Sequence, residues 1–330
     1  MRVSSAADLH MHSRASDGSD FPEELPALAA SLGMRVFSLT DHDTVSGSAL
    51  LLQSRIRKAA EGYAGKADQG KTLSEGRYQP GKAVQLKVPA VPGDREDRTI
   101  WFLPGVELSC RAGDILCHLV GYCYDPDDPA IKRICADLEE RRIRKMEIRI
   151  RNLETIDGIV LTTEEKDRIF STESPGRPHL AGVLMDRGLA VSVDDAFEKY
   201  LNSRHSPVPK WISRIEAEPA IAAVRQAGGI IGWAHPLGGE SDWHLSADEL
   251  KERLKIMAGL GIQDLECYYS RYSREEEEFL LSQAKQYRLL VSGGSDYHGT
   301  NKTVLAGQLR CDDIPVDTAG LTLLQEVMDA

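Results

Sequence analysis

Histidine and carboxylate occur in this 330-residue chain as short strings, most of them directly after apolar runs of strand length. Asp8-Leu9-His10-Met11-His12, Thr40-Asp41-His42-Asp43, Cys117-His118-Leu119, Ala234-His235-Pro236 and Ser295-Asp296-Tyr297-His298 hold six of the nine histidines. Imidazole mixed with carboxylate is a donor set for Zn, Mn or Fe. Burying so many ionisable groups without partners would be costly. The strings run from residue 10 to residue 298, so only a fold that gathers many separate strand ends can use them together.

Strand-like and helix-like stretches alternate around the strings. Residues 6–12 and 36–40 read as strands. Residues 22–32 between them read as a helix, opened by Phe21-Pro22 and closed by Gly33. Further strands are expected at 100–107, 115–122, 230–235, 264–268 and 289–292, and helices at 219–227, 250–260 and 274–286. Ser273 supplies an N-cap for the last helix, with Glu275 to Glu278 in its first turns. Such alternation predicts an α/β fold with a parallel sheet or barrel. In barrels the functional groups lie at the C-terminal ends of the strands, where these strings fall.

Two stretches break the rhythm. Residues 61–97, rich in Gly, Lys, Gln and Pro, read as a long surface insertion with a hairpin around residues 84–88. Asp125-Pro126-Asp127-Asp128-Pro129 is a turn-rich break. It opens a mostly helical subdomain over 126–208, inserted into a catalytic domain formed by 1–125 and 209–330. Within it, residues 131–156 carry Arg141, Arg142, Arg144, Lys145, Arg149 and Arg151 among apolar residues at helical spacing. A run of this kind is most often a solvated helix face, and binding to a phosphate-rich partner is the alternative.

The net charge of -11 argues against a surface that coats duplex nucleic acid. A small phosphorylated substrate stays possible, because bound metal ions reverse the sign inside a pocket. Apolar runs fall short of the ~20 residues a membrane helix needs, and the first residues lack a signal-peptide pattern. No membrane partner and a cytoplasmic location are therefore expected. The six cysteines form no C-x-x-C pair and read as small buried thiols.

His10 and His12 share one face of an extended segment and can clasp one ion. Taken with the other strings, they resemble the PHP (polymerase and histidinol phosphatase) superfamily of metal-dependent phosphoesterases. Asp-Leu-His-Met-His-Ser, Leu-Thr-Asp-His-Asp-Thr-Val-Ser-Gly, Pro-Gly-Val-Glu-Leu-Ser, His-Leu-Val-Gly-Tyr, Trp-Ala-His-Pro and Gly-Ser-Asp-Tyr-His-Gly carry the resemblance. They are similar to the branch containing 3',5'-nucleoside bisphosphate phosphatases and enzymes acting on the 5' ends of short RNAs. The resemblance implies a distorted (β/α)7 barrel with an inserted helical subdomain, and two or three divalent ions (Mn, Fe or Zn). It implies one ion on His10, His12, Glu107 and Asp296, and a second on Glu107, His118 and His235. A third would sit on Asp17, His42 and His298. The connection at 61–97 is longer than the family pattern.

Paired ions can activate a bridging water as hydroxide and neutralise phosphate oxygens, so no nucleophilic side chain is needed. Glu107, Asp296 and His235 are the expected catalytic centre. Gly176-Arg177-Pro178-His179 resembles a recurrent string of the branch. Arg177 and His179 are candidate phosphate contacts, with His205 and Lys210 beside the return to the barrel. Asp41 and Asp43 are candidates to orient ligands, and His244 reads as surface. Tyr268, Tyr269 and Tyr272 offer either a base-stacking surface or core packing. The expected activity is release of phosphate from a small nucleotide, a 3',5'-nucleoside bisphosphate or a nucleoside monophosphate. A 5'-to-3' exonuclease on short RNA, a histidinol-phosphate phosphatase and a noncatalytic metal-binding module are the rivals.

Overall fold

In a computed structural model that describes residues 4–63, 78–88, 98–202, 205–239 and 244–328, the apolar runs form nine strands. They are β1 (Ala7–Asp8), β2 (Val36–Leu39), β3 (Val84–Val88), β4 (Arg98–Ala112), β5 (Ile115–Tyr122), β6 (Ile215–Glu216), β7 (Ile230–Ala234), β8 (Asp264–Tyr269) and β9 (Leu290–Gly294). Seven follow one path, β1-β2-β4-β5-β7-β8-β9, while β3 and β6 each pair with β4. Leu9 N–H donates to Gly293 O at 3.1 Å and Met11 bridges Tyr297, so the path curls back on itself. The result is the expected distorted α/β barrel, nearly closed. The distortion comes from β5, which runs antiparallel to both β4 and β7. A tight turn at Gly113, whose φ of 59° suits glycine, reverses the chain between β4 and β5.

The regular part of β1 is shorter than the seven residues expected. From Leu9 onward the chain stays extended but divides its hydrogen bonds between β9, Tyr297 and Thr40. Gly294 permits this closeness: a Cβ there would lie 2.1 Å from His10 Cβ and 2.5 Å from its backbone nitrogen.

Outside the barrel lie α1 (Leu25–Ser31), α2 (Ser46–Tyr63), α3 (Pro129–Asp157), α4 (Thr163–Ile169), α5 (Arg177–Asp186), α6 (Val193–Ala196), α7 (Ala217–Gln226), α8 (Ala247–Leu260), α9 (Arg274–Tyr287) and α10 (Thr322–Val327). Of these, α2 was not foreseen, and its last turn takes in residues 61–63 of the stretch read as an insertion. Strand β3 pairs antiparallel with the first residues of β4, as a hairpin requires. Residues 64–77 and 89–97 of that stretch lie outside the described residues. Helix α3 opens on Asp128, whose side chain accepts from Ala130 N–H, and stops at Gly158 in the left-handed region. Helices α3 to α6 share their own apolar cluster, including Met146, Leu153, Ile169, Leu180, Leu184 and Leu201. They touch the barrel near the ligand strings: Thr172 Oγ1 donates to Ala15 O at 3.1 Å, and Arg142 pairs with Asp43. Among the described residues no helix is long and apolar enough to cross a membrane.

Candidate metal centre

The ligand strings converge on Glu107, near the middle of β4 and fully buried. Its Oε2 lies 3.3 Å from His10 Nε2, 3.3 Å from His12 Nε2 and 3.0 Å from His42 Nδ1. Its Oε1 lies 2.8 Å from His118 Nδ1 and 2.9 Å from His235 Nε2. Asp296 Oδ1 stands 3.3 Å from His12 Nε2, and Asp17 Oδ1 stands 3.3 Å from His298 Nε2. Three sets of donor atoms lie within 4.8 Å of one another: His10, His12, Glu107 and Asp296; His42, Glu107 and His118; His12, Asp17, His42 and His298. All nine expected ligands are thus brought together. His12 and His42 each fall in two sets, and His235 reaches the cluster through Glu107.

Seven buried donor atoms here have no hydrogen-bond partner: His10 Nε2, both ring nitrogens of His12, Asp17 Oδ1, His42 Nδ1, Glu107 Oε2 and His118 Nδ1. Buried polar atoms are nearly always paired. A convergent set of unpaired imidazole and carboxylate atoms fits divalent cations. Burial pushes the carboxyls of Asp17, Glu107 and Asp296 upward. Neighbouring imidazoles, and Lys302 beside Asp296, outweigh it and hold all three well below the ordinary range. They are therefore in the form that binds a cation. Two of the expected ligands, His235 (φ 30°) and Asp296 (φ 58°), hold a backbone conformation unusual for non-glycine residues, as strained functional sites do.

Around the ligands, Asp41 accepts from Ser13 N–H (2.7 Å), Ser13 Oγ (2.8 Å) and Ser16 Oγ (2.7 Å), fixing the loop between His12 and Asp17. Asp43 accepts from Ser109 N–H and Oγ and pairs with Arg142. Neither acid bonds a ligand ring. Tyr269 Oη donates to Asp296 Oδ2 at 3.0 Å, and Lys302 Nζ to the same oxygen at 2.7 Å. Tyr268, Tyr269 and Tyr272 are all buried, which removes them as a base-stacking surface.

Beneath the site, Asp264 is fully buried on β8, accepting from Ser292 Oγ at 2.6 Å while its Oδ1 has no partner. Burial, with Glu266 adding to it, pushes its carboxyl up to about 8. Between the ordinary value and about 8 the folded protein keeps a proton that the unfolded chain has lost. Stability therefore falls as pH rises through that window and levels off above it. Asp264→Asn should gain on the wild type as pH rises from about 5 to about 8, by up to roughly 1.4 kcal/mol per pH unit. Urea unfolding of the metal-free proteins measures this, and a difference that does not change with pH would refute it.

Beside the ligands opens a cavity of about 610 Å³, lined also by Arg142, Lys145, Arg149, Arg177, Lys210 and Arg214. This corrects the solvated-face reading for one strip of α3: residues 142, 145 and 149 share a helix face, and that face borders the cavity. Lys145 donates to Ser213 Oγ, Arg149 to Leu201 O, and Arg214 to Cys110 O and Cys117 O, all neutral oxygens. Arg214 Nε is buried without a partner. Burial, reinforced by Arg142, Arg149, Arg214 and Arg177, holds the Lys145 ammonium well below its ordinary pKa. Two expected substrate contacts, Arg177 and Lys210, line the cavity. Neither of the other two is among its lining residues. His179 Nδ1 accepts from Gly176 N–H at 3.0 Å, which shapes the turn that carries Arg177. His205 is engaged elsewhere, its Nε2 lying 2.7 Å from Asp157 Oδ1 and its ring against Tyr200. His244 pairs with Glu276 at the surface.

No family model matches the chain. The 5'-3' exoribonuclease Rnm of Escherichia coli (strain K12) is 28% identical over 294 residues, covering 88% of this chain and 84% of that protein. The 3',5'-nucleoside bisphosphate phosphatase of Chromobacterium violaceum is 28% identical over 300 residues, covering 88% of this chain and 86% of that one. Among solved structures, a protein assigned as a metal-dependent phosphoesterase from Bifidobacterium adolescentis superposes with a TM-score of 0.71 at 24% identity. The match covers 98% of this chain and 96% of that one and bears on the fold. The strings that carried the resemblance converge on one cluster, and over most of its length the chain is similar to these phosphoric ester hydrolases, as its resemblance to the PHP-type metal-dependent phosphoesterases implies.

Proposed function

We propose that the protein hydrolyses a phosphomonoester of a small nucleotide, with a 3',5'-nucleoside bisphosphate as the best fit. The observation that carries this reading is a single cavity with two anion-binding halves. The expected metal ligands form one end, and Lys145, Arg149 and Arg214, whose hydrogen bonds go to neutral oxygens, line the other. A substrate with two separated phosphates satisfies both; one with a single phosphate leaves Lys145, Arg149 and Arg214 uncompensated.

Mn, Fe or Zn would be held by the three donor sets, with His235 completing the one around His118. Bound there, such ions supply Lewis-acid chemistry, lowering the pKa of water and neutralising phosphate oxygens. The remaining work falls to side chains. Arg177, Lys145, Arg149 and Arg214 would grip the distal phosphate through charge-assisted hydrogen bonds. That grip holds the substrate equally in the ground and transition states, so it acts on KM. Arg142, anchored by Asp43 and 3.3 Å from Ser109 Oγ, stands between the two halves and would steady the sugar-phosphate link.

One observation favours a second reading, 5'-to-3' exonuclease action on short RNA. Arg142 and Arg149 lie about 10 Å apart along α3, room for successive backbone phosphates. A cytoplasmic location goes with either substrate. The test is a phosphate-release screen over 3',5'-bisphosphates, monophosphates, short 5'-phosphorylated RNA and histidinol phosphate, with Mn, Fe(II) and Zn compared. Bisphosphates should give the highest kcat/KM. Preference for RNA would replace the first reading with the second, and no release from any substrate would overturn both.

A further inference from the structure

We infer that Glu266, which belongs to none of the donor sets, sets the ring of His10 and the backbone of His235 together and so positions two parts of the metal centre. The inference rests on the metal-centre reading above.

Glu266 lies on β8, between β7 and β9, and is fully buried. Its Oε1 is 2.9 Å from His10 Nδ1, and its Oε2 accepts the His235 backbone N–H at 2.6 Å. Opposite Oε1, and with Oε2 already an acceptor, His10 carries its proton on Nδ1. The lone pair is then on Nε2, the atom that faces Glu107 and Asp296 and has no hydrogen-bond partner. A partner of this kind fixes both the tautomer and the angle of a ligating histidine. The second oxygen acts on a different ligand. His235 sits at a φ of 30°, and the bond from its N–H holds the backbone at that strained point. The β8–β9 register shifts between Glu266 and Tyr268, as a bulge that aims a side chain does.

The two bonds differ in what an amide can replace. In Glu266→Gln, the amide oxygen can still accept from His235 N–H. The amide nitrogen then faces His10 Nδ1 as a donor. His10 must move its proton to Nε2 to accept that bond, which removes the lone pair from the metal-facing atom. One donor set is disabled while the others are spared.

Equilibrium dialysis with Mn(II) and elemental analysis of wild type and Glu266→Gln test this, with thermal unfolding as a check on the fold. The variant should bind one equivalent of metal about 10–100-fold more weakly and keep the rest. In the Co(II)-substituted proteins its visible spectrum should change. Asp264→Asn, altered in the same strand two residues away, should load like the wild type. A second measurement needs no variant: nitrogen NMR of the zinc-loaded wild type should find His10 protonated on Nδ1. Wild-type loading by Glu266→Gln, or a His10 protonated on Nε2, overturns the inference alone. A wild type that takes up no metal overturns the metal reading and the inference with it.

Discussion

Glu107→Gln should abolish phosphate release, lowering kcat/KM by more than about 10³-fold under any of the three metals. The reason is the number of ligands one carboxylate serves. Its two oxygens face five imidazoles and take part in two of the three donor sets. An amide keeps the shape but removes the charge and turns one oxygen into a donor group aimed at cations. Altering a residue that only orients a ligand typically costs 10–100-fold, so loss of a shared ligand lies beyond that range. Circular dichroism should find the fold retained, because no part of the apolar core changes. Hydrolysis that persists at saturating Mn, Fe(II) or Zn would remove Glu107 from its assigned role.

The residues that converge on Glu107 were legible because metal-type strings leave local marks. His10 with His12, or Asp296 with His298, can be recognised without knowing what lies opposite, and the preceding apolar run places each at a strand end. Glu266 leaves no such mark. Asp-Leu-Glu-Cys-Tyr reads as an ordinary buried strand, and the carboxylate gains meaning only when His10, 256 positions away, is found against it. The cationic strip of α3 is an intermediate case. Spacing at 142, 145 and 149 puts the three on one helix face, but whether that face meets solvent or a cavity is decided by how the helix docks through Arg142 and Asp43. His205 failed in the opposite way. Its place beside the return to the barrel suggested a substrate contact, but Asp157, 48 positions upstream at the end of α3, pairs with it. Antiparallel β5 was hidden as well, since β-strand patterning records burial but not direction.

Lys145→Met should separate the two halves of the cavity. With a 3',5'-bisphosphate, KM should rise about 30–100-fold at nearly unchanged kcat, the consequence of losing a charged hydrogen bond of roughly 2–3 kcal/mol. With a substrate carrying one phosphate, such as p-nitrophenyl phosphate, kcat/KM should move by no more than about twofold, because the metal-centre half is untouched. A collapsed fold would not mimic this pattern. Burial and four neighbouring arginines disfavour the ammonium in the free protein, so methionine should leave thermal stability equal or higher. The same surroundings give a second signature. As pH rises through the depressed Lys145 pKa, the wild type loses a positive charge from the distal half, and its KM for the bisphosphate should climb. The variant has no such charge to lose, and its KM should stay flat over that range. Equal losses on both substrate classes, or a wild-type pH profile that survives the substitution, would show that Lys145 does not hold the distal phosphate.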